Sequence, residues 1–132
     1  MKITKNADLP RRPGPADWFT GTVQIETIAV NPVPSRLQAA RVTFSPSART
    51  AWHTHPLGQT LYVVSGICRV QLQGGPVQEA QPGDVVSIAP DELHWHGATP
   101  DAEMTHIAIQ EADTHNVVVT WLEHVTDAEY NS

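Results

Sequence analysis

The chain has 132 residues, a net charge of −6 and a single cysteine, Cys68. That length fits one domain, residues 1–132, able to build its own core; the acidic balance argues against nucleic acid or an anionic membrane as partner, since both need a basic patch. One cysteine excludes an internal disulfide. The N-terminal stretch MKITKNADLPRRPGPADW lacks the apolar run of a signal sequence, and no segment approaches the ~18 apolar residues of a membrane span, so a cytoplasmic protein is expected.

Eleven prolines and eight glycines divide the chain into short pieces. The first ~20 residues read as an extended arm, because their prolines are incompatible with a helix interior or a central strand. Apolar, β-branched runs follow at 22–30, 37–44, 59–66, 67–73, 85–89, 104–110 and 116–125, separated by turn signals such as NPVP, SPSA, GG and QPGD. This spacing predicts an all-β protein, an antiparallel barrel or sandwich. Cys68 lies within the run ICRV and reads as a buried, inert thiol. At the C-terminus, Thr126 stands three residues before Glu129, the spacing of a helix capping box.

Seven histidines give the chain its chemistry. In AWHTHPLGQTLYVVSG, residues 51–66, His53 and His55 alternate and therefore share a strand face. Gln59 follows a Pro56–Gly58 turn that can fold it back beside them. Two imidazoles and an oxygen make three sides of a metal site, although H-x-H alone is also found in strands that merely carry two half-exposed histidines. The segment PGDVVSIAPDELHWHG, residues 82–97, adds a turn, an apolar strand and His94, a third imidazole that an adjacent strand would bring to the pair.

These two segments resemble the cupin superfamily. The first cupin motif is H-x-H, three or four residues, an acidic residue, six residues and glycine, which His53, His55, Gln59 and Gly66 match in spacing. The second is met by Gly83, by Pro90 after six intervening residues in place of five, and by His94. The resemblance implies a small jelly-roll-type β-barrel with a metal at its mouth. Gln59 departs from the usual glutamate. Three neutral imidazoles and a carboxamide leave a divalent ion its full +2, where glutamate would leave +1. Such an ion is a stronger Lewis acid, less tightly held and less ready to give up an electron, which favours polarising a hydroxyl or carbonyl over dioxygen chemistry.

GPADWFTGTV (14–23), ARTAWHTHPLGQTL (48–61), HWHGATP (94–100), MTHIAIQE (104–111) and WLEHVTDAEY (121–130) are similar to the bacterial manganese cupins that act as hydroxynitrile lyases. That resemblance runs almost end to end and includes Gln59. It implies reversible cleavage of an aromatic cyanohydrin of the mandelonitrile type to aldehyde and hydrogen cyanide, with manganese held by His53, His55, Gln59 and His94. The donor set by itself also suits iron, nickel, cobalt or zinc. Small-molecule cyanohydrin, aldehyde and cyanide are then the expected partners, and a homodimer or homotetramer the expected assembly.

Alternation supplies the rest of the pocket. His96 shares the face of His94; His106, Ala108 and Gln110 share another, and Ala40, Val42 and Phe44 a third. A histidine facing an apolar cavity needs a partner or a task, so His106, paired with Gln110, is the expected base, with His96 its competitor. Ala40, Val42, Phe44 and Ala108 are expected to leave room for an aromatic substrate. Thr50 reads either as a substrate-binding hydroxyl or as a turn hydroxyl. Trp52 and Trp95 alternate with the ligand histidines and should face away as packing or subunit-interface residues. His115 and His124 read as surface histidines. Two rival functions remain at this point: a cupin dioxygenase, against which Gln59 counts, and a cupin that binds or senses a small molecule without turnover.

Overall fold

A computed structural model describes all 132 residues, Met1–Ser132. Thirteen short strands follow in chain order. The first seven are β1 (Arg11–Pro13), β2 (Phe19–Thr20), β3 (Val23–Val30), β4 (Leu37–Phe44), β5 (Arg49–Thr50), β6 (His53–Thr54) and β7 (Gln59–Ser65). They are followed by β8 (Cys68–Leu72), β9 (Gln78–Ala80), β10 (Val85–Ile88), β11 (His94–Ala98), β12 (Met104–Glu111) and β13 (Thr120–Trp121), with one helix, α1 (Asp127–Tyr130), at the end. No helix is long and apolar enough to cross a membrane.

Every strand pairing is antiparallel. One sheet runs β1-β3-β4-β12-β7-β10, and the other runs β13-β6-β11-β5-β2, with β8 also on β11 and β9 beyond it. The two form the walls of a small β-barrel. Inward residues alternate with outward ones, as the burial of Gln59, Leu61 and Val63 against exposed Thr60, Tyr62 and Val64 on β7 shows. The largest core cluster lies between the sheets, with Phe44, Val63 and Met104 wholly buried beside Phe19, Val23 and Val42. Burying a side chain of this size is worth roughly 1.5–3 kcal/mol, so this core needs no ion to hold it together. A separate cluster of Trp95, Val125 and Tyr130 docks α1, whose Thr126–Glu129 capping box is complete.

Two glycines are required by geometry. Gly58 has φ +80° and turns the chain into β7, setting Gln59 at the strand's first position. Gly66 has φ +71°, and a Cβ there would collide with the Glu103 carbonyl. Cys68 is fully buried, and burial pushes its thiol up to about 12, where it is protonated and unreactive.

One expectation needs correction. The run 116–125 is not one long strand: only Thr120–Trp121 pairs, with β6. The Asp113 carboxylate instead accepts from the His115 and Val117 amides, and the Val118 carbonyl is used by a histidine side chain, so the segment lies irregularly across the barrel mouth. The extended N-terminal arm, for its part, is partly built into the barrel. Arg11–Pro13 pairs with β3 at the sheet edge, where proline's missing N–H is tolerated, and Phe19–Thr20 pairs with β5.

Candidate metal centre

His53 and His94 are direct cross-strand partners on β6 and β11, and their rings lie 4.2 Å apart. His55 follows the first pair on the loop into Gly58, and its ring is 5.0 Å from that of His53. Five histidines converge here, since His53, His55, His94, His96 and His106 are all buried.

Backbone carbonyls orient three of them. Nδ1 of His53 donates to Ala51 O (2.9 Å), that of His55 to Val118 O (2.8 Å) and that of His94 to Glu92 O (2.9 Å). A carbonyl only accepts, so each Nδ1 carries the proton and each Nε2 presents a lone pair, the tautomer that a metal ligand requires. Nε2 of His55 is buried with no partner. Nε2 of His94 faces Oε1 of Gln59 at 3.1 Å, while the Gln59 amide nitrogen donates to Gln110 Oε1 at 3.1 Å. Two acceptor atoms thus face each other, an arrangement that a cation stabilises. Ring nitrogens of His53, His94 and His96 also lie within 4.8 Å of one another, so this buried histidine group could hold a metal.

His96 and His106 are arranged differently. Nδ1 of His96 and Nε2 of His106 share a hydrogen bond of 3.0 Å, leaving His96 Nε2 and His106 Nδ1 buried and unpartnered. This pair links β11 of one sheet to β12 of the other. Burial holds His106 and His94 down to about 4, and holds His53 and His96 well below the ordinary histidine value, with neighbouring histidines adding to the effect. Burial also lowers His55. All five are neutral near pH 7, as ligation and proton acceptance both demand.

A cavity of about 330 Å³ opens above these rings. Ala40, Val42, Phe44 and Ala108 line it together with Thr50 and Gln110, so the structure brings the sequence-predicted pocket residues to one place. Their partners differ from expectation in two respects. Gln110 bonds Gln59 and not His106, whose partner is His96 across the barrel; alternation along β12 could not reveal a partner on another strand. Thr50 is in a strand, not a turn, and its hydroxyl accepts from the His96 backbone N–H at 3.2 Å. Trp95 is wholly buried against Val125 and Tyr130, its indole N–H donating to Gln71, and Trp52 packs beside that cluster. His115 and His124 are exposed.

Sequence reasoning missed the aromatic wall. The Trp121 ring lies 4.6 Å from that of His53 and stacks on Trp18 at 5.4 Å. Strand β13 is only two residues long, too short for alternation to assign Trp121 a face. A wider surface groove beside Trp52, Gln71 and Glu123, about 590 Å³, contains no histidine; chemistry, not size, locates the site.

The chain is 53% identical over 130 residues, 98% of each chain, to an (R)-mandelonitrile lyase of Granulicella tundricola. Among solved structures it resembles a cupin-like protein of Thermotoga maritima, with 41% identity, 90% of each chain covered and a TM-score of 0.84. A cupin-2 domain of Rhodospirillum rubrum, at 13% identity, shares the fold alone, with a TM-score of 0.72 over 99% of this chain and 84% of that one. The model of the cupin domain matches residues 40–110, the stretch from the pocket wall on β4 to Gln110 on β12, and the chain belongs to the cupin family.

Proposed function

We infer that this chain, acting as a single cupin domain, is a metal-dependent hydroxynitrile lyase that reversibly cleaves aromatic cyanohydrins of the mandelonitrile type to aldehyde and hydrogen cyanide. The observation that carries this reading is the convergence of five buried, neutral imidazoles, four of which, His53, His55, His96 and His106, line a largely apolar cavity. End-to-end identity with a mandelonitrile lyase supports the substrate class. At about 330 Å³ the cavity suits a single aryl ring.

His53, His55, Gln59 and His94 would hold the metal, which we take to be manganese. Their carbonyl-fixed tautomers and the facing Gln59 and His94 acceptors support this set. Once bound, the ion supplies Lewis acidity at the substrate oxygen, making a hydroxyl easier to deprotonate or a carbonyl more electrophilic. Ala40, Val42 and Ala108 make space for the ring, and the Phe44 ring, 5.2 Å from that of His106, closes the cavity floor. His106 is the base: through its unpartnered Nδ1 it accepts the hydroxyl proton as the C–CN bond breaks and the electron pair departs with cyanide. Burial makes the resulting imidazolium a strong acid, ready to return the proton to cyanide and release hydrogen cyanide. His96 orients His106 through their shared bond, and Thr50 holds the His96 backbone in place. Gln110 orients Gln59.

Exposed Tyr62, Val64 and Val85 on the barrel's outer face support assembly into a homodimer or homotetramer, which light scattering would test. We take the protein to act in the cytoplasm. The deciding experiment for the activity is benzaldehyde release from mandelonitrile by purified protein, with chelator and with added manganese. Turnover lost to chelator and restored by manganese is expected; a rate indifferent to complete metal removal would overturn the mechanism. Chiral analysis of the reverse reaction would show whether the (R) product dominates, as the relative's name suggests.

A further inference from the structure

Two adjacent arginines on edge strand β1 face opposite sides of the sheet. Arg11 turns outward and meets the Glu26 carboxylate at 2.7 Å. Arg12 turns inward and lines the cavity, with no carboxylate within ion-pair distance. It is the only formally charged residue among the 20 that line the cavity, and no acidic side chain is among them. This is unusual in a chain of net charge −6. The Arg12 guanidinium is therefore an unpaired side-chain cation at the rim of a pocket that no carboxylate lines.

Register places this cation relative to the chemistry. Arg12 pairs with Ile25, Ile25 with Val42, and Val42 with His106, each directly opposite the next and all facing inward. Three strand spacings separate Arg12 from His106, roughly 14 Å between their Cα atoms. Both side chains line the same cavity, so a substituted aryl ring lying along that span can meet both. A guanidinium presents paired donors that match a carboxylate.

We propose that Arg12 is a specificity-determining residue, selecting aryl aldehydes and cyanohydrins that carry a carboxylate at the end remote from the reacting carbon. The proposal rests on the lyase reading for the reaction but not for the binding, and the two are separable by experiment. Stacked Trp18 and Trp121 line the same cavity, so their fluorescence reports occupancy without turnover. Manganese-loaded protein would be titrated, without cyanide, with 4-carboxybenzaldehyde and with its neutral isostere 4-carbamoylbenzaldehyde. At low ionic strength the carboxylate should bind about fivefold more tightly, the scale of an exposed ion pair. That ratio should shrink with added salt, fall to about one in Arg12→Gln, persist in part in Arg12→Lys and invert in Arg12→Glu. A wild-type ratio of one or less would overturn the proposal. So would a ratio that survives Arg12→Gln, which would assign the carboxylate to the metal or to another donor. If the ratio behaves as expected while mandelonitrile is not cleaved, the lyase reading fails and the binding role of Arg12 stands.

Discussion

Two neighbouring rows of the six-stranded sheet run side by side and face opposite ways. The outer row is Arg11, Glu26, Arg41, Ile107 and Tyr62; the inner row is Arg12, Ile25, Val42, His106 and Val63. Each member of one row is one residue away from its counterpart in the other. In the outer row charge meets charge: Glu26 accepts from Arg11 at 2.7 Å and from Arg41 at 3.0 Å. In the inner row the one buried titratable group, His106, is bonded only to another imidazole and is held neutral. A one-residue step on a pleated strand thus separates a salt-bridged surface from a chemical cavity, because alternate side chains leave the sheet on opposite sides.

Breaking the inner face should have the largest effects. His53→Ala should empty the metal site, as read by metal analysis, and should cost more turnover than the roughly 10–100-fold typical of losing an outer hydrogen bond to a metal ligand. Its circular dichroism should remain that of the wild type, because the main apolar cluster of eleven buried residues does not include His53 and stays in place. Next in size, His106→Ala should cut kcat by about 10²–10⁴-fold with metal content unchanged, as expected for a positioned base. If full activity survives in His106→Ala but not in His96→Ala, the proton belongs to His96; if both variants stay active, no protein base is needed.

A smaller change tests the electrostatics of the cavity floor. Gln59→Glu adds a negative charge beside the His94 nitrogen, so the metal should be held more tightly while turnover falls, by about tenfold if polarisation of the substrate oxygen controls the rate. Weaker metal binding with faster turnover would contradict the charge argument.

The smallest effect is expected in the outer row and concerns pH. The hydrogen bond from Arg41 and the charges of both arginines hold the Glu26 carboxyl below its ordinary value. A depressed carboxylate contributes stability that is present above the unfolded value, 4.5, and is lost as pH falls through the folded one. Glu26→Gln should therefore cost about 1 kcal/mol at pH 7, the upper range for partly exposed pairs. The gap between variant and wild type should close as pH drops below 4.5, with cyanohydrin turnover unaffected at pH 7. Thermal melts across that range would check this, and a gap that widens in acid would show that the sign is wrong.

What was legible in the sequence was local. Alternation identified the shared faces of Ala40, Val42 and Phe44 and of His106, Ala108 and Gln110, and motif spacing singled out His53, His55, Gln59 and His94, because these relations depend only on chain geometry over a few residues. Prolines marked the N-terminal region as unfit for a central strand, yet its pairing at the edge of β3 depends on where β3 lies. The tertiary structure alone decided the partners: His106 with His96 across the two sheets, Gln110 with Gln59 on the neighbouring strand, Trp121 against His53 and Arg12 at the rim in line with His106. It also drew residues 113–125 across the barrel mouth, where the Val118 carbonyl fixes the His55 tautomer. A strand's period states which side chains point the same way, whereas what they meet is set by long-range register and barrel closure, contacts between segments up to a hundred residues apart that no local pattern encodes.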